Sequence, residues 1–231
     1  MIVNPEKIHR GMHQQLLTWR DCKSNQEYRL GWKIGFNMVS DQKRLNLPSA
    51  MVGHLSRQRE LSSGQHFQAP VNSNLLVEPE IAIQIGRDIN SDISHVEAKS
   101  AISSYTAALE LVDTTRSVAD DIEAVLTGNL FHEGVILAEQ RVLPDDYRRN
   151  ELAFTLTLNG EPALCLEQER VPEDFSTIIV DTAKILAEHG EQLQAGDWII
   201  TGSAAKPLPV KAGDHIALDM QSLGKIDLHI K

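Results

Sequence analysis

The stretch LLVEPEIAIQI, Leu75 to Ile85, sets two glutamates two residues apart at the head of an apolar segment. Side chains alternate along a strand, so Glu78, Glu80, Ala82 and Gln84 share one face. Val77, Ile81, Ile83 and Ile85 share the other with Pro79. A proline inside such a run gives up one ladder N–H, which predicts an edge strand or a strand entrance. An amphipathic strand with a solvated polar face would account for this pattern by itself. Glu110 changes the weighing, because AALELV surrounds it with Ala107, Ala108, Leu109, Leu111 and Val112 and predicts burial on both faces. A buried carboxylate must be paired, protonated or bound to a metal. If the two strands are neighbours, three carboxylates converge, and a hard divalent cation with oxygen ligands relieves their repulsion. Pairing of Glu110 with an arginine such as Arg116 stays open on pattern alone.

The flanking sequence supplies the other elements. Asn4 followed by Pro5 makes a helix start, a capping side chain and then a proline whose missing N–H costs nothing there. Ile8, Met12, Leu16 and Trp19 fall on one face and predict an amphipathic helix over residues 5–20. RLGWKIGF (29–36) carries a short apolar strand between glycines, followed by a short helix near 40–45 and a polar loop at SSGQH (62–66). Ser94 and Glu97 form a capping box; the helix they open is expected to turn Val96, Ala101, Ile102 and Tyr105 to the core. TAALELVDTT (106–115), GVILAEQ (134–140) and LAFTLTLNGEPALC (152–165) read as strands, the last folded back at Asn159–Gly160. Ser176 is expected to cap a helix whose Ile179, Ala183, Leu186 and Ala187 face inward, closed by Gly190. DWIITGS, PLPVKAGDHIALDM and GKIDLHI complete a β-rich second half, with Ala-Gly-Asp at 195–197 and 212–214 as turns entering strands. No linker-like tract divides the chain, so one α+β domain is expected over 1–231, with 1–30 a helical N-terminal arm.

Composition narrows the partners. With 22 basic against 32 acidic residues the net charge is −10, which argues against nucleic acid or an anionic membrane surface. The two cysteines, Cys22 and Cys165, lie far apart in no metal-like spacing and read as reduced, buried thiols of a cytoplasmic protein. No stretch has the length and apolarity of a signal-peptide core or a membrane span.

VEPEIAIQIG (77–86), ALELVDTTR (108–116) and GEQLQAGDWIITGS (190–203) followed by PLPVKAGD (207–214) resemble the fumarylacetoacetate hydrolase superfamily. Within it the likeness is to the branch of 2-oxo-4-pentenoate hydratases and oxalocrotonate decarboxylases, over Gly31 to the C-terminus. The resemblance implies a mixed β-roll of the C-terminal domain type, and Mg²⁺ or Mn²⁺ held by Glu78, Glu80 and Glu110. It implies a small 2-oxo or 2-hydroxydienoic acid as substrate, in the catabolism of aromatic compounds, by hydration, decarboxylation or C–C hydrolysis. Each of these passes through an enolate that a cation can stabilise. Lys33 in GWKIG falls where the hydratases carry a catalytic lysine; Asn129, Thr201 and Gly202 match substrate-binding positions. Where the hydratases pair that lysine with an aspartate, SAMVGHL has Met51, and nearby His54 becomes the candidate proton carrier. NLFHEG (129–134) replaces smaller residues, so His132 and Glu133 are expected in the pocket or on its rim. ERVPEDF (169–175) lacks the family's Gly-His-Pro step, and the N-terminal arm is shorter by about one helix. A homo-oligomer is expected, and a non-catalytic binding subunit is the reading from a different class.

Overall fold

The computed structural model describes residues 5–22, 28–116 and 121–231; Asn4, the expected cap, and the side chain of Cys22 lie outside the described set. Its helices are α1 (Pro5–Cys22), α2 (Val39–Leu45), α3 (His95–Ser100), α4 (Ile122–Thr127) and α5 (Ser176–Glu188). Its strands are β1 (Arg29–Gly35), β2 (Met51–Ser56), β3 (Glu60–Leu61), β4 (His66–Phe67), β5 (Leu75–Ile85), β6 (Ile102–Asp113) and β7 (His132–Leu137). After these come β8 (Thr155–Leu158), β9 (Glu161–Cys165), β10 (Trp198–Ser203), β11 (Leu208–Pro209), β12 (His215–Asp219) and β13 (Lys225–Ile230).

The larger sheet runs β2-β1-β10-β5-β6-β7-β3, with β11 added beside β5; β1/β10 and β3/β7 are parallel and the other pairs antiparallel. β2 passes into β3 through a single 3-10 turn, Arg57–Arg59, so the two outermost strands are consecutive in the chain. The sheet therefore curls back on itself. A second sheet, β4-β13-β12-β8-β9, covers its back.

β5 is paired with β6 from end to end and lies in the middle of the sheet, so of the edge strand or strand entrance expected from Pro79 the edge is ruled out. The partner on that side changes from β10, paired up to Glu80, to β11, paired from Val77. Pro79 sits at the changeover, where no N–H is demanded, and its carbonyl still accepts from the Ala204 N–H at 2.8 Å. Arg29 ties the start of β1 to the turn before β10 through Asp197, with both contacts at 2.5 Å, and the Trp32 indole donates to the same carboxylate at 3.1 Å. Asp197 and Asp214 close the two Ala-Gly-Asp turns alike, accepting from the N–H three residues back at 2.9 Å, with Gly196 and Gly213 left-handed at φ 91° and 94°.

One large apolar core joins both sheets with α1, α4 and α5; Trp19 from α1 meets Trp32 edge to face at 5.7 Å. Full burial of side chains such as Leu16, Ile83 or Leu109 contributes about 1.5–3 kcal/mol each. A separate apolar group, with Leu55, Ala82, Ala108, Val135 and Ile200 among its members, lies on the face of the large sheet that carries the glutamates.

Several expectations need correcting. The capping box at Ser94 is formed, but α3 stops at Ser100 and leaves Val96 81% exposed, while Ile102 and Tyr105 belong to β6. Ser176 is the first residue of α5, not its cap: Phe175 takes the cap position, and the Ser176 N–H is satisfied by Asp174 at 2.8 Å. Ile179, Ala183 and Leu186 are buried as expected; Ala187 is exposed. Cys165 is an exposed free thiol because β9 is an edge strand of the second sheet, so a buried thiol is wrong for it.

Candidate metal centre and active site

Register brings the acidic residues together. In the β5/β6 ladder Glu78 pairs with Glu110 and Glu80 with Ala108, which sets all three glutamates on one face. One carboxylate oxygen from each lies within 4.8 Å of the others. Unit charges at that spacing repel by about 3 kcal/mol even at an effective dielectric of about 20. Burial does nothing to relieve this: Glu80 and Glu110 are 0% and 1% exposed, and Glu78 is half-buried.

The protein answers the repulsion unevenly. Burial would raise Glu110, but Lys33 and then His132 outweigh it and hold its carboxyl below the ordinary range. Its Oε1 takes the Lys33 ammonium at 2.5 Å and His132 Nδ1 at 2.7 Å. These partners settle the alternative of an arginine. Burial, then Glu110, pushes Glu78 up to about 7, against Lys33 and Arg170. Glu80 is raised well above its ordinary value by burial, Glu110 and Glu78, against Lys33 and one backbone N–H. That N–H is Gly202's, which donates to Glu80 Oε2 at 2.7 Å, while Oε1 is buried without a hydrogen bond. Three clustered carboxylates, one of them with a buried oxygen that has no hydrogen bond, fit a hard divalent cation.

A cavity of about 310 Å³ opens over the cluster, lined by Lys33, Phe36, Asn37, Glu78, Leu130, Phe131, Arg170 and Gly202 among others. Phe36 and Phe131 meet across it edge to face at 6.5 Å, both in left-handed backbone at φ 56° and 67°. Arg170 comes from the 3-10 turn Gln168–Arg170 and is braced by Glu167 at 2.6 Å. Arg44 on α2, held by Asp41 at 3.0 Å, reaches the same cavity. Nothing in the local sequence pattern marks either arginine, because only tertiary folding brings α2 and the 168–170 turn to the mouth.

The other expected site residues divide. Lys33 lies in the cavity wall, 3% exposed, also donating to the Leu130 carbonyl at 3.0 Å. Gly202 lines the cavity at φ 97°, where an added Cβ would collide with the Asn37 side chain. Thr201, next to it on β10, points to the other face and donates to the Ile81 carbonyl at 2.9 Å. Asn129 clamps the backbone of His54, accepting from its N–H and donating to its carbonyl, both at 2.8 Å. That clamp anchors Asn129, Leu130 and Phe131, three successive left-handed non-glycine residues at φ 59°, 54° and 67°. The strain of about 1–2 kcal/mol per residue is offset by this anchoring and by burial of Leu130. The turn aims the Leu130 carbonyl at Lys33.

His54 does not join the cavity. Its ring stacks on Trp19 at 5.0 Å, and burial, with His132 and Lys33 adding, pushes it down to about 3. Its neutral ring belongs to the α1 packing, behind the sheet face that carries Lys33. Met51 is 4% exposed in the main core and lies outside the cavity lining. His132 turns inward to Glu110, whereas Glu133 turns out to Arg59 at 3.1 Å.

Comparison with known proteins places the fold. A 4-oxalocrotonate decarboxylase from a Pseudomonas species is 22% identical over 199 residues, 86% of this chain and 77% of that protein. A 2-keto-4-pentenoate hydratase from Burkholderia vietnamiensis is 27% identical over 221 residues, 88% and 79% of the two chains. The structure of 4-oxalocrotonate decarboxylase from Pseudomonas putida G7, complexed with calcium and acetate, superposes with a TM-score of 0.82 at 20% identity, over 94% of this chain and 85% of that one. The family model for the fumarylacetoacetate hydrolase C-terminal region matches residues 34–231, and the chain belongs to that family.

Proposed function

We propose that the protein is a divalent-metal-dependent lyase acting on a small 2-oxo or 2-hydroxydienoic acid, with Glu78, Glu80 and Glu110 as ligands of Mg²⁺ or Mn²⁺. The observation that carries this reading is the clustering of three glutamate oxygens within 4.8 Å beside a cavity into which Lys33 also faces. The ion, when bound, supplies a Lewis acid for the negative charge that develops on the C2 oxygen of the acid.

The chain's own residues supply the rest. Lys33 has three donors; two go to Glu110 Oε1 and the Leu130 carbonyl, leaving one for an oxygen of the substrate. Glu78 carries a proton near neutral pH only in the metal-free site and gives it up to bind the ion, so its part is that of a ligand facing the cavity. Phe36 and Phe131 give the cavity an apolar wall against which the carbon chain of the acid can lie. Gly202 orients Glu80 through its N–H. Incubation with Mg²⁺ and 2-hydroxypenta-2,4-dienoate is expected to remove the dienol absorbance. Decay equal to a protein-free blank would count against hydration.

A second reading, decarboxylation of a 2-oxo diacid or hydrolysis of an acylpyruvate, has its own support. Met51 offers no proton where the hydratases have an aspartate, and His54 is buried against Trp19. Arg170 and Arg44 at the cavity mouth suit a second carboxylate at the far end of the substrate. CO₂ release from 4-oxalocrotonate, or pyruvate release from an acylpyruvate, with no turnover of the dienoate, selects it.

A further inference from the structure

Burying a histidine has a cost that burying a phenyl ring does not. The His132 side chain is 2% exposed, and its Nε2 is buried with no hydrogen-bond partner. An unsatisfied buried nitrogen destabilises the fold, so packing alone does not explain an imidazole here. The other ring nitrogen does. Nδ1 lies 2.7 Å from Glu110 Oε1, where the carboxylate accepts an N–H from the cation or from the neutral tautomer protonated on Nδ1.

The local backbone is shaped for this contact. The β6/β7 register shifts between Leu111 and Val112, and that bulge returns His132 to the face of Glu110. The left-handed turn Asn129–Phe131 leads directly into it. Lys33 approaches from β1 and His132 from β7, and both reach the same oxygen, Oε1.

We propose that His132 is a positioning residue for the metal: with Lys33 it fixes the Glu110 carboxylate through Oε1 and so keeps Oε2 for the ion. The inference rests on the three-glutamate reading of the site. Hydrogen-bond partners that orient a metal-binding carboxylate are commonly worth 10–100-fold in metal affinity.

The test is isothermal titration of Mn²⁺ into the metal-free full-length protein and two variants. His132→Phe keeps the ring and removes the donor; His132→Asn loses volume but keeps an N–H near the position of Nδ1. The expected result is a Kd about 10–100-fold weaker for His132→Phe and within about threefold of the parent for His132→Asn. Equal affinity of His132→Phe and the parent overturns the role. So does His132→Asn falling below His132→Phe, the order that a packing role produces. A parent protein that binds no Mn²⁺ brings down the glutamate reading itself, and this inference with it, so the two failures are told apart by which protein shows them.

Discussion

Glu78 is the residue whose protonation should be easiest to read in solution. Its carboxyl, pushed up to about 7 from an ordinary 4.5 by burial and then by Glu110, binds its proton more tightly folded than unfolded. Between those two values the folded state therefore carries more protons, and the contribution of Glu78 to stability falls as pH rises through the window. In chelator at pH 8, Glu78→Gln is expected to unfold at higher denaturant than the parent, and at pH 5 the gap should close. Mn²⁺ must displace this proton and the one that Glu80, raised well above its ordinary value, also holds, so parent affinity should climb with pH through about 7. A Glu78→Gln midpoint equal to the parent's at both pH values would show that the carboxyl is not strained. The glutamate set was legible because a spacing of two on one strand and an acid inside an apolar run are both local signals. His132 and Glu133 were expected in the pocket or on its rim, but which of the two turns inward depends on a bulge and was not legible. His54 misled because its closeness in sequence to Met51 says nothing about which face of β2 it takes.

The turn between α4 and β7 shows what one short segment does for the site. Three consecutive left-handed residues persist because Asn129, a residue type that tolerates that conformation, locks onto both backbone groups of His54. Asn129→Ala removes both bonds and should destabilise the fold by about 2–3 kcal/mol, read as a shift in the urea midpoint. It should also lower kcat, because the Leu130 carbonyl that braces Lys33 moves with the turn. Unchanged stability and rate would detach the turn from the site. Strand β5 was read to its end residues, since eleven residues of alternating pattern leave little choice. The stretch after α3 was misread because Ala101, Ile102 and Tyr105 fit one face of a helix as well as they fit a buried strand. β2 was missed because MVGHLS has neither clean alternation nor turn residues at its ends.

Closure of the large sheet is what turns these pieces into one cavity. β1, β5, β6 and β10 line it, β7 brings His132 to Glu110, and Arg170 of the Gln168–Arg170 turn reaches it from outside the sheet. Order along the chain suggested a β-rich second half, but not that β2 and β3 would bracket the sheet from opposite ends. That is a long-range consequence of strand pairing, and Arg44 and Arg170 were hidden for the same reason. Whether the three glutamates form a single cation site is tested directly by anomalous diffraction from crystals soaked in Mn²⁺ and oxalate. A single site gives one strong peak with an oxygen of Glu78, Glu80 and Glu110 each about 2 Å away and oxalate on the open side, towards Lys33. A peak elsewhere, or none between these carboxylates at saturating Mn²⁺, would contradict it.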